Sequence, residues 1–179
     1  LSTFQALDKV FLGGAGGSGF VTTNNPSTPS DGGGIVIILA DNVIGNGFTI
    51  NASGTNGIGV SPVGAPDGGG GGGAGGSVVI KTSLYTGNLF VRGDGGEGQD
   101  LNTNTVHGPG GGGGGGVFLY STATLPANVT VNSSGGIGGE HTVAPEIGQR
   151  NGSQDGLPGG VFSLYTPPQN PNYLFSDTD

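Results

Sequence analysis

Asp94, Glu97 and Asp100 are the side chains with the most chemistry to offer. Gly95 to Asp100 (GGEGQD) matches the first six positions of the calcium β-roll nonapeptide G-G-x-G-x-D-x-U-x, whose tandem copies complete one another's sites with oxygen ligands. The match then breaks, because Asn102 stands where a large apolar residue belongs and Leu101 comes one place early. The motif also occurs once rather than in tandem. Calcium on Asp94, Glu97 and Asp100 is the one cofactor these residues leave open, set against a plain solvated acidic loop. The same carboxylates, paired on one face, would suit a β-helical polysaccharide-acting enzyme. Such an enzyme needs basic residues nearby, and only Arg92 is close.

Other chemistry is sparse. His107 and His141 each sit in a polar loop and read as solvated or structural. G-x-G-x-x-G matches around Gly68 to Gly73 follow from composition, and no strand–helix unit accompanies them. Lys81-Thr82 follows Ile80 rather than glycine, and no G-x-S-x-G elbow occurs. Arg92-Gly93-Asp94 spells a cell-attachment tripeptide, which a glycine-rich chain produces by chance. Asn51, Asn128, Asn132 and Asn151 open N-x-Ser/Thr sequons. No catalytic residue is assigned, and the chain is not expected to be an enzyme.

Composition limits the partners. The 179 residues suit one domain. Glycine supplies 44 of them and charged residues only 9%, with no Cys, Met or Trp. Disulfides and thiolate metal sites are therefore excluded. The net charge of −8 disfavours nucleic acid, which needs clustered Lys/Arg. The longest apolar run, Ile35 to Ala40, is too short to span a bilayer. The opening Leu-Ser-Thr reads as a processed chain or an excised fragment.

The elements around these residues repeat. The stretch from Asp67 to Asp94, DGGGGGGAGGSVVIKTSLYTGNLFVRGD, is written again from Gly110 to Gly139 as GGGGGGGVFLYSTATLPANVTVNSSGGIGG. A fainter copy runs from Gly32 to Gly59, and Gly159 to Tyr165 begins a fourth. Strand openings at Ile35, Val78, Val117 and Val161 are 43, 39 and 44 residues apart. Such a period marks stacked or solenoidal architecture. Each repeat is expected to give two short strands and a glycine segment. Ile35 to Leu39 is expected to be buried on both faces. The glycine runs are expected to lie extended, polyproline-II-like, and to pack backbone to backbone, because their N–H and C=O groups need partners and no Cβ keeps neighbours apart.

Glycine run, apolar strand, polar turn, apolar strand and glycine-rich exit, from Gly32 to Tyr165, resembles the glycine-rich repeats of large bacterial surface proteins and phage tail-fibre adhesins. It is more distantly similar to the glycine-rich ectodomain of the anaplastic lymphoma kinase receptor. The resemblance implies packed polyglycine helices bridged by β-structure.

The expected fold class is therefore all-β: a glycine-rich β-solenoid or sandwich-like stack of two-strand repeats with ordered extended polyglycine segments. Residues 1–31 form an N-terminal arm and loop, 32–166 the repeat core and 167–179 a tail, all in one domain. The arm residues Phe4, Leu7, Val10 and Phe11 fit a short helix, a first strand or a docking arm. With Tyr173, Leu174 and Phe175 they are the expected assembly contacts. Gly95 to Pro109 and Glu140 to Asp155 are the expected recognition loops. The expected function is an extracellular structural protein that self-associates into a surface filament or sheath. The alternative is a receptor- or glycan-binding module of a phage fibre or bacterial adhesin, at a cell or virion surface. Neither requires membrane insertion.

Overall fold

Clusters of Val, Ile and Leu decide where this chain can be a strand, and glycine decides where it cannot. The computed structural model describes residues 9–20, 29–57 and 68–163. The first repeat supplies β1 (Ile35–Leu39), β2 (Asn42–Ile44) and β3 (Thr49–Asn51). The second supplies β4 (Ser77–Lys81), β5 (Leu84–Thr86) and β6 (Leu89–Arg92). The third supplies β7 (Val117–Tyr120) and β8 (Val129–Asn132), and a fourth begins with β9 (Gly160–Phe162). Every pairing is parallel and in register, with Ile35 opposite Ser77, Ser77 opposite Val117 and Val117 opposite Gly160. Three sheets result, in the orders β1-β4-β7-β9, β2-β5 and β3-β6-β8.

The corners between strands are closed by short polar side chains. Thr82 Oγ1 donates to the Asp41 and Leu84 carbonyls, 3.0 Å from each, and Ser121 Oγ donates to the Thr82 carbonyl at 3.0 Å. The next turns use left-handed backbone, at Asn46 and Gly47 in the first repeat and at Gly87 in the second. Glycine and asparagine reach that region at least cost. The third repeat has no middle strand. Leu125-Pro126 replaces it, since proline cannot donate to a ladder, and the Asn128 amide donates to the Tyr85 and Gly87 carbonyls at 3.2 and 2.7 Å.

Side chains from the three sheets meet in one core: Val78, Ile80, Phe118 and Tyr120 face Leu89, Val91, Val129 and Tyr85. The Phe118 and Tyr120 rings stack with centroids 5.6 Å apart. The other face of the four-stranded sheet buries Val79, Val117 and Leu119 under Val10 and Phe162.

Beyond the strands the glycine segments pack in layers. Segments 52–57, 93–99 and 133–139 leave the third strands side by side. Gly54 donates to the Asp94 carbonyl at 2.9 Å, and Gly95 to Ser134 and Gly98 to Ile137 at 2.8 Å. Segments 30–34, 68–76, 108–116 and 154–159 lead into the first strands and form a second, antiparallel layer. Between the layers Gly96 donates to Gly73, Gly113 to Gly96 and Gly136 to Gly113, each at 2.8 Å. The bonds recur at every third residue, the period of a helix with three residues per turn. A Cβ on Gly96 would overlap the Thr55 carbonyl oxygen, and one on Gly113 the Gly73 carbonyl oxygen. Only glycine permits this approach. A third layer holds segment 13–19, which is joined to 68–76 by Gly71 donating to Gly17 and Ala74 to Gly14, both at 2.9 Å.

This corrects the expected fold class. The described residues are 28% strand with no helix, and their short parallel strands lie in three small sheets. They do not form a β-solenoid or sandwich-like stack of two-strand repeats. The first two repeats have three strands, not two, and more of the described residues lie in glycine segments bonded in several directions than in strands. Strands stay short because each apolar cluster is soon cut by a polar corner or a glycine. Ile35 to Leu39 is also corrected. No described residue covers its outer edge, and Ile35, Ile37 and Leu39 are exposed.

Candidate functional site

A chain with three residues per turn shows every third side chain on one ridge. Asp94, Glu97 and Asp100 share such a ridge, roughly 9 Å apart at ~3.1 Å per residue. The backbone N–H groups of Asp94 and Glu97, and of Ser134 and Glu140 in the next segment, point outward, where no carbonyl accepts them. Side-chain oxygens close them instead. Ser53 Oγ accepts the Asp94 N–H at 3.0 Å, and Asn56 Oδ1 accepts the Glu97 N–H at 2.9 Å. Asp94 Oδ1 accepts the Ser134 N–H at 3.1 Å, and Asp100 Oδ1 accepts the Glu140 N–H at 2.9 Å. Arg92 holds the other Asp94 oxygen at 2.8 Å. Glu97 faces the Asn56 amide at 3.5 Å.

The three carboxylates are thus placed in a row and not brought to one point. Among the described residues no group of three His, Cys, Asp or Glu side chains is placed to hold a metal ion. The arrangement does something else: it seals one outer face of the glycine layers. The signal was present in the sequence as local triplets, DGGEGQD and SGGIGGE, in which Asp94, Glu97 and Asp100, and Ser134, Ile137 and Glu140, fall every third place. No collagen-like period runs through the whole chain, and that hid them.

The two expected recognition loops are joined by His141, which is fully buried. Its Nδ1 lies 3.1 Å from the Thr103 carbonyl and its Nε2 lies 2.7 Å from the His107 carbonyl. The Asn151 amide nitrogen lies 3.1 Å from the same Nε2. A Leu101–His141 bridge adds a backbone contact between the loops. Asp155 pins the second loop, with Oδ1 accepting from Gly138 N–H at 2.8 Å and from Arg150 at 2.7 Å. The Gly138 bond, then Arg150, hold its carboxyl below the ordinary range. The side-chain core holds an unpaired polar group. The Tyr85 hydroxyl is buried without a partner, and desolvation, with the Tyr120 hydroxyl nearby, pushes its pKa up to about 12.

Of the expected assembly residues, Val10 packs on the Val79, Val117 and Leu119 cluster of its own chain. The Phe11 backbone donates to Ser77 Oγ at 2.8 Å and accepts from it at 2.9 Å. Both contacts are internal. Phe4, Leu7, Tyr173, Leu174 and Phe175 lie outside the described residues, as does the tail from 167.

Sequence reasoning missed an exposed apolar feature, the edge of β1. Ile37 is 57% exposed and Leu39 65%. At the opposite end of the same sheet, β9 is the outer strand and Val161 is exposed. An open hollow of about 710 Å³ lies at the corner by Leu39, lined by Asp41, Lys81, Ser83 and Thr122 among others. It holds one Lys and one Asp among hydroxyls and offers no acid–base pair of carboxylates. Among the described residues no helix is long and apolar enough to cross a membrane. No family model, no curated protein and no solved structure matches this chain.

Proposed function

We propose that this chain is a structural protein of a cell or virion surface that joins end to end into a filament or sheath. The observation that supports this reading most is β1: five apolar residues in an edge strand with two of its side chains more than half exposed. An exposed apolar edge is a template for pairing with another chain. The opposite end offers β9 and β8 as outer strands of the same parallel sheets. Pairing β9 of one copy with β1 of the next keeps strands parallel, and such a head-to-tail contact grows into a filament where its rotation does not close a ring. Subunit contacts then add stability by mass action. The likeness of the repeat to glycine-rich surface proteins fits the same role.

The test is light scattering and electron microscopy of the purified protein against the Ile37→Lys/Leu39→Lys variant. Filaments that vanish in the variant, with the fold retained by circular dichroism, support end-to-end assembly. A wild type of fixed small size at all concentrations contradicts it.

A second reading, recognition of a glycan or receptor, draws on the loop pair held by His141. Rigidly positioned loops are common recognition surfaces. Binding to a glycan array that is lost on replacing exposed loop residues, without change in assembly, would favour it.

A further inference from the structure

The two outer faces of the glycine layers are finished differently. On the ridge face, the outward N–H groups of Asp94, Glu97, Ser134 and Glu140 are closed by Ser, Asn and Asp oxygens. On the opposite face the outward N–H groups belong to Gly71 and Ala74 in one segment and to Gly111 and Gly114 in the next. Segment 13–19 covers the first pair, through the Gly17 and Gly14 carbonyls. Nothing among the described residues covers the second pair, and glycine has no side chain with which its neighbours could do so.

The matching acceptors are open as well. Segment 13–19 donates from Gly13 and Gly16 to the Gly33 and Ser30 carbonyls of the first segment in this layer. The corresponding carbonyls one repeat later are those of Gly72 and Gly75, and no described residue donates to them. Two donors and two acceptors, each spaced by three residues, thus border a groove beside the occupied one. On its donor side there is room: a Cβ on Gly111 would lie 3.7 Å from the Gln154 carbonyl oxygen and one on Gly114 would lie 3.7 Å from that of Leu157.

We propose that this groove receives segment 13–19 of a second copy of the chain. The occupant is set by the filled groove next to it, with which this one is continuous. A strand that fits must be antiparallel to 108–116, present carbonyls every third residue and approach closely enough to need glycine. Segment 13–19 (GGAGGSG) has that form, and its outward side, Gly14 and Gly17, would meet no atom within 4 Å even with a Cβ added. Two copies related by a two-fold axis lay their 13–19 segments side by side in one shared layer. Each segment then fills its own groove from one side and the partner's from the other. Such an isologous contact closes as a dimer. It uses unpaired main-chain groups in the manner of strand addition at a sheet edge, with a glycine helix in place of a strand.

This contact is lateral and does not depend on the ends, so it stands apart from filament growth. It is tested in the Ile37→Lys/Leu39→Lys background, where the ends are blocked. Analytical ultracentrifugation over a range of concentrations reads the mass against 17.3 kDa for one chain. The comparison is with added Gly111→Gln/Gly114→Gln. Gln154 and Leu157 stand at the equivalent places of the following segment, so bulky side chains suit these positions in the lattice itself. We expect a doubled mass that reverts to one chain in the glutamine variant with its melting temperature kept. Hydrogen exchange at Gly111 and Gly114 should slow about tenfold or more in the dimer. A single-chain mass at every concentration overturns the proposal. A dimer unaffected by the glutamines, or one in which these two amides exchange as fast as in the monomer, overturns it too.

Discussion

The sheet end and the glycine end of this molecule solve the same problem by opposite means. In the sheets, Phe118, Leu119, Ile80 and Val79 bury large side chains and leave the backbones a strand spacing apart. In the glycine layers, Gly96, Gly113 and Gly136 bury almost nothing but main chain, and the N–H group of each reaches a carbonyl of the facing layer. A core of side chains tolerates small changes of shape, because rotamers adjust. A core of carbonyl oxygens has no such freedom. The same repeat therefore contains one region where losing atoms does the damage and one where gaining a single methyl does.

The sharpest way to break this contrast is one added methyl group. In Gly113→Ala the new Cβ meets the Gly73 carbonyl oxygen, a backbone atom held by its own bonds. The cost should exceed the ~1–3 kcal/mol of ordinary overpacking and take up most of the ~5–15 kcal/mol available to a domain. Thermal melts should show little or no folded protein. In Gly114→Ala, one residue on, the Cβ has room. Its stability should be unchanged or higher by about 0.4–1 kcal/mol, because the unfolded chain loses freedom. Similar melts for the two variants would contradict the layered packing.

The next largest effect belongs to the sheets. Phe118→Ala removes a fully buried ring stacked on Tyr120. It should cost about 3–5 kcal/mol in chemical denaturation, yet leave the glycine layers bonded in whatever remains folded.

Smaller effects sharpen the comparison at its polar atoms. The Tyr85 hydroxyl is an orphan in the side-chain core. Tyr85→Phe should gain about 1 kcal/mol, the low end of the penalty for a buried unpaired group. Its sign with pH follows from the raised pKa of about 12. The wild type keeps its full stability below the ordinary tyrosine value near ~10 and loses it as pH rises through that of the folded state. Denaturation across the range from the ordinary tyrosine value to the raised one should show this loss shrink in Tyr85→Phe. On the ridge of the glycine layers, Asp94→Ala leaves the Ser134 N–H without its acceptor. Being at the surface, it should cost about 1 kcal/mol or less, with a melting shift of a few degrees at most.

What the sequence revealed divides along the same line. Val78, Val117 and Val161 marked their strands to within a residue, because β-branched clusters stand out against glycine. Asn-Val-Ile and Leu-Tyr-Thr did not announce β2 and β5, since three residues carry too little pattern. Ile35 to Leu39 looks like an interior strand by composition. Its exposure comes from being the first of its sheet, which no local pattern encodes. Asp94, Glu97 and Asp100 looked like ligands because carboxylates near glycine suit calcium, whereas two of them accept main-chain N–H groups of the next segment. That role depends on a neighbour 40 residues away, beyond the reach of a motif. His141 shows the same limit: a polar loop sequence hid a fully buried ring.

Native-state hydrogen exchange, at a dilution that keeps the chain monomeric, asks most directly whether the glycine layers are part of the folded core. The amides of Gly96, Gly113 and Gly136 should be protected as strongly as those of Val79 and Leu119, and lost with them in one global opening. Gly111 and Gly114, whose N–H groups meet no acceptor among the described residues, should exchange fast in the same sample. Exchange of Gly96, Gly113 and Gly136 at the rate of free peptide, while the sheets stay protected, would show the glycine runs to be linkers and would contradict the layered packing at its root.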